Sequence, residues 1–135
     1  MNDDIVSKEN LSKEMLKEIF VSAYFDVSQD DSGDLTIKER YTTHIQVDKS
    51  NRYICFFSNI LRNEKSGLQE RHAYTNAVNC DLIAVRAIEL EKIFSYDYYL
   101  WIEGGVTKKN IILAFKNFSH LVESAVAKDK YEVLK

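Results

Sequence analysis

The chain has 135 residues, enough to bury about two-thirds of the surface its unfolded form exposes, and it reads as a single domain over residues 1–135. Its 18 basic and 21 acidic residues give a formal net charge of −3, without the cationic surplus that coating nucleic acid requires. No run approaches the ~18 apolar residues of a membrane span, and Met1-Asn2-Asp3-Asp4 is polar where a secretory signal begins basic and turns apolar, so the expectation is a cytoplasmic protein with neither nucleic-acid nor membrane partner.

The first helix is expected over Ser7–Ser22. Leu11, Met15 and Ile19 recur at helical spacing, Leu16 and Phe20 widen the stripe, and Ser7 or Asn10 is the candidate cap. A short strand follows over Ala23–Ser28. Gln29-Asp30-Asp31-Ser32-Gly33-Asp34 then has the composition of a turn. Leu35–Asp48 alternates as one long strand, with Ile37, Tyr41, Thr43, Ile45 and Val47 on one side. Lys49-Ser50-Asn51 turns the chain, and Arg52–Leu61 returns as a strand rich in aromatic and β-branched residues.

Ser66-Gly67-Leu68-Gln69 has the pattern of a capping box opening a second helix to Asn79, whose weak apolar face is Leu68, His72, Thr75 and Val78. Leu82–Glu89 and Ile93–Glu103 read as strands. Gly104-Gly105 ends the sheet, and Thr107 caps a helix over Lys108–Lys128 with the clearest stripe in the chain: Ile111, Ala114, Phe115, Phe118, Leu121, Val122 and Ala125. The order α-β-β-β-α-β-β-α with short connections implies an α+β fold, an antiparallel sheet with helices packed mainly on one face.

Chemistry is scarce along this chain. Ser28–Glu39 imitates an EF-hand loop with Gly33 at its sixth position, and Asp30, Ser32, Leu35 and Glu39 fall in plausible places. Ser28, however, is neutral where the first ligand is a carboxylate, and from Thr36 the chain alternates like a strand; a solvated acidic hairpin turn is the better reading. His44, His72 and His120 lie far apart on three elements, without zinc spacing. Cys55 and Cys80 are expected as buried, unreactive thiols in a reducing compartment. Gly104-Gly105-Val106-Thr107-Lys108-Lys109 lacks the spacing of a P-loop and reads as a capped strand-to-helix turn. No catalytic residue, metal site or cofactor is therefore expected.

The aromatics carry the stronger signal. Tyr99 and Trp101 lie opposite the face that bears Leu100 and Ile102, and Tyr53 and Phe57 lie opposite Ile54 and Phe56. With helices on one face, Tyr53, Phe57, Tyr99 and Trp101 would form a semi-apolar patch on the other, the usual mark of a protein interface.

Asn76-Ala77-Val78-Asn79 closes the middle helix ahead of two strands. Leu100-Trp101-Ile102-Glu103-Gly104-Gly105-Val106-Thr107 then enters a helix bearing Phe115 and Phe118. On these passages the chain resembles, from Leu11 to Ala127, the YbjN family of bacterial sensory transduction regulators. The resemblance implies a type III secretion chaperone-like fold, no catalytic residues, and a non-enzymatic homodimer that binds a protein or peptide partner or acts as a regulator. A regulator taking a small ligand or ion at the acidic turn or the Gly-Gly turn is the alternative.

Overall fold

The computed structural model describes residues 4–135. In chain order its elements are β1 (Ile5–Val6), α1 (Lys13–Ser22), β2 (Val27–Gln29), β3 (Leu35–Lys38), β4 (Thr42–Val47), β5 (Tyr53–Leu61), α2 (Leu68–Asp81), β6 (Arg86–Glu89), β7 (Ile93–Trp101), β8 (Val106–Thr107) and α3 (Lys108–Ala127). Six strands form one antiparallel sheet in the order β2-β3-β4-β5-β7-β6, and β1 pairs with β8 in a separate two-stranded clasp. The α+β class and the antiparallel sheet are as the sequence implied, with two differences in strand count.

The first difference is the segment Leu35–Asp48, which is two strands rather than one. The chain folds back through Glu39-Arg40-Tyr41, where the Glu39 N–H donates to the Tyr41 carbonyl. Ile37 faces Thr43 and Leu35 faces Ile45, so this turn preserves odd–even parity. Leu35, Ile37, Thr43 and Ile45 all remain buried on one face, and the alternation runs through the hairpin without a break. The second difference is the clasp: Ile5 and Val6, a pair too short to show any period, meet Thr107 and Val106.

Helix α1 begins later than Ser7, because its cap is Ser12, whose Oγ accepts the Met15 N–H at 3.0 Å. Ser7 and Asn10 instead build a turn: the Ser7 N–H donates to Asn10 Oδ1, and Asn10 Nδ2 donates to the Ile5 carbonyl. The capping box at α2 does not form either. Gly67 is the N-cap, with no side chain bonded to the first turn, and Ser66 Oγ donates to the Asn63 carbonyl. Leu68 and His72 are exposed, and only Tyr74 and Val78 of α2 are buried. What fastens α2 is polar: the Asn79 side-chain amide accepts the Ala87 N–H at 2.6 Å and donates to the Ala87 carbonyl at 3.1 Å, satisfying outward backbone groups of edge strand β6. Arg71 adds an ion pair to Glu89 on the same strand.

All three helices lie on the sheet face that carries Ile54, Phe56, Phe94 and Tyr96. Phe115 and Phe118 of α3 pack on Phe56, Phe20 of α1 meets Phe115 at 5.4 Å, and Tyr74 of α2 meets Phe94 at 5.2 Å. Each of these rings is fully buried and contributes about 1.5–3 kcal/mol by burial. The two phenols in this core are satisfied in series: Tyr96 donates to Tyr74 across 2.6 Å, and Tyr74 donates to the Ala125 carbonyl across 2.8 Å. Burial pushes the Tyr74 phenol up to about 12 and that of Tyr96 higher still, so both stay neutral donors.

The turn from β7 to α3 needs its glycines. Gly104 and Gly105 have φ of +87° and +102°, and a Cβ on Gly105 would lie 2.9 Å from Cγ2 of Ile5 in the clasp. Thr107 caps α3 as expected, its Oγ1 accepting the Asn110 N–H at 3.0 Å.

Candidate functional site

Among the described residues no helix lies on the other face of the same sheet. Along β5 and β7 the register sets Tyr53 beside Trp101, Cys55 beside Tyr99 and Phe57 beside Asp97; His44 of β4 and Arg86 of β6 flank Phe57 and Asp97. Three of the four anchors expected from the sequence meet in one cluster. Tyr53 contacts Tyr99 edge-on at 5.2 Å and Trp101 at 5.0 Å. Tyr99 is 42% exposed and Trp101 56%. Phe57 stands apart, four residues along β5, half-buried and stacked on the His44 imidazole at 4.8 Å.

Two guanidiniums, neither anticipated, lie against the rings. Arg52 stands 6.0 Å from the centroids of both Tyr53 and Trp101, and Arg86 stands 5.9 Å from that of Tyr99. Each is held by a carboxylate. Asp48 accepts from Arg52 Nε at 2.8 Å, and Asp97 takes Nε and Nη2 of Arg86 at 3.1 and 2.7 Å in a two-pronged bond. The Arg52 bond, together with the neighbouring backbone, holds the Asp48 carboxyl below its ordinary value. A signal for this arrangement did exist. Asp97 sits inside the run Phe94-Ser95-Tyr96-Asp97-Tyr98-Tyr99, and a carboxylate in the middle of a sheet needs a cation beside it.

The thiols divide. Cys55 is buried between the rings, and burial pushes it up to about 11, which leaves it protonated near neutral pH. Cys80, expected to be buried, is exposed on α2, where half of each turn faces solvent; its S–H donates to Asn76 Oδ1 at 3.5 Å.

The acidic turn joins β2 to β3, and its leading carboxylate is fully engaged. Asp30 Oδ1 accepts the N–H groups of Ser32 and Asp34, while Oδ2 accepts from His44 Nδ1 at 2.8 Å. The His44 bond is the largest cause holding the Asp30 carboxyl below its ordinary value. Lys13 Nζ closes the turn on the Gly33 carbonyl at 2.6 Å. Among the described residues no group of three or more His, Cys, Asp or Glu side chains is placed to hold a metal ion. At the Gly-Gly turn the amides that a phosphate would need are already bonded: the Lys108 N–H donates to the Asp4 carbonyl at 2.8 Å, and that of Asn110 to Thr107. No helix among the described residues is long and apolar enough to cross a membrane.

A solved structure described as "Crystal structure of YbjN, a putative transcription regulator from E. coli" matches this fold with a TM-score of 0.79, at 11% sequence identity, over 93% of this chain and 96% of that one. No curated protein matches the sequence. The family model YbjN, described as "Putative bacterial sensory transduction regulator", matches residues 12–128, and with most of its length so covered the chain belongs to the YbjN family.

Proposed function

We propose that the chain is a non-enzymatic regulator that binds a polypeptide partner on the open face of its sheet, as a homodimer. The observation that carries the reading is the cluster of Tyr53, Tyr99 and Trp101, with the last two about half exposed on a face that no helix covers. Exposed aromatic clusters of this kind supply most of the binding energy where they become buried against a partner. The non-enzymatic part is supported by the chemistry nearby. Cys55 is protonated and buried, and the Nδ1 of His44 is committed to Asp30, so no nucleophile, base and oxyanion donor converge on this face. The net charge of −3 favours regulation through protein contact over a grip on nucleic-acid phosphates. The homodimer is what the family likeness implies.

The test pairs Tyr99→Ala with Trp101→Ala and compares proteins captured by the variant and the parent chain. The double variant should keep its far-ultraviolet circular dichroism and its sedimentation as a dimer while losing the captured protein. Retention of that protein by the folded double variant overturns the reading, and a monomer by light scattering removes the dimer from it.

A further inference from the structure

Resting on that reading, we propose that the partner segment is acidic: an extended stretch of a protein whose carboxylates reach Arg52 and Arg86 while its apolar side chains lie over Tyr53, Tyr99 and Trp101. The chain as a whole carries −3, yet on the aromatic half of the open face the ion pairs turn their positive ends outward. The Arg52 and Arg86 side chains are 46% and 59% exposed, whereas Asp48 and Asp97 beneath them are 10% and 8% exposed.

Both heads keep donors in reserve. Among the described residues the Arg52 guanidinium bonds Asp48 through Nε alone, leaving both of its Nη groups, and that of Arg86 uses Nε and Nη2, leaving Nη1. A guanidinium has five N–H donors in a planar fork suited to carboxylate. The underlying aspartates and the adjacent rings hold both forks in position before a ligand arrives, which lowers the entropy lost on binding.

Register sets the spacing. Arg52 adjoins Tyr53, which faces Trp101, and Arg86 faces Asp97. With Arg52 one step beyond Tyr53, opposite Ile102, five residues along β7 at ~3.3 Å each and two strand spacings of ~4.8 Å across the sheet separate the two positions by roughly 19 Å. Acidic residues about six positions apart on one side of an extended segment span that distance.

A second copy of this face fits less well, since a two-fold axis would set outward guanidiniums against one another. RNA would stack on the rings, but two cations on an acidic protein offer little for its phosphates.

The experiment is selection from a displayed library of random twelve-residue peptides on the full chain. The recovered pool should be enriched severalfold in Asp and Glu over the input. Its peptides should quench Trp101, the chain's single tryptophan, and should weaken about tenfold from low to high salt as screening sets in. A variant with Arg52→Gln and the paired change Arg86→Met with Asp97→Leu removes both forks; Asp97 goes together with Arg86, and Asp48 keeps the backbone N–H of residue 52. It should lose the acidic pool while keeping its far-ultraviolet circular dichroism.

A pool without acidic enrichment, or one indifferent to that variant, overturns the inference; if the same pool is lost on Tyr99→Ala with Trp101→Ala, the binding face itself stands. A pool that survives the aromatic variant overturns both. A dimer abolished by Trp101→Ala would make a second copy the occupant, and Trp101 quenching by a ten-nucleotide oligouridylate in place of peptides would make it RNA; either result overturns the acidic segment.

Discussion

The two faces of β5 and β7 are built from alternate residues of the same two strands, yet they are constructed on different terms. On the helix side Ile54, Phe56, Phe94 and Tyr96 are fully buried, and Phe56 and Phe94 touch rings from α3 and α2. On the open side Tyr53, Tyr99 and Trp101 touch one another, Arg52 and Arg86 lie beside them, and two aspartates anchor those heads. Aromatic content does not by itself identify core: period two distributes rings to both faces, and the covering helices decide which are structural.

Phe56→Ala should have the largest effect. It removes a ring packed against Phe115 and Phe118 and should cost about 3–5 kcal/mol in urea unfolding. Next comes Arg86→Ala, which leaves the Asp97 carboxylate buried without its two-pronged donor and should cost about 2 kcal/mol, despite changing a residue on the open face.

Asp30→Asn sharpens the contrast by pH rather than by size. Folding lowers the Asp30 pKa, chiefly through the His44 bond, so the ionised carboxylate contributes stability fully above about pH 4, the ordinary range of an unfolded aspartate. That contribution is lost as pH falls through the lowered native value. Unfolding measured across acid pH should show a shallower decline in the variant than in the parent chain. Trp101→Ala should have the smallest effect on folding, within about 0.5 kcal/mol, and a loss of that size sets it apart from Phe56→Ala even though both remove a large ring.

Legibility followed the length and regularity of each element. Strands β5 and β7 and helix α3 were plain in the sequence, because nine or more residues in one period average out exceptions. The anchors Tyr53, Tyr99 and Trp101 followed from strand parity alone. The hairpin at Glu39-Arg40-Tyr41 was hidden because it conserves parity and contains no glycine, asparagine or proline. The α1 start is ambiguous in the sequence because Ser7, Asn10 and Ser12 are all competent caps; in the fold Ser7 and Asn10 bond each other and Ile5, which leaves Ser12 to cap the helix. Arg52 and Arg86 are illegible for a related reason: a cation above a ring depends on strand register, and Arg52 reaches Trp101 only because β5 pairs with β7 across the intervening α2 and β6.

The clasp also orders events in time. Val6 must find Val106, while β4 and β5 are joined by the five-residue connection 48–52. During synthesis at ~5–20 residues per second, the hairpin partners emerge within about a second of one another, whereas β1 waits roughly 5–20 s for β8. Until then the Lys108 N–H has no Asp4 carbonyl to meet, and Ile5 and Val6 travel unpaired. Strand β1, made before every other described strand, is thus one of the last to be seated.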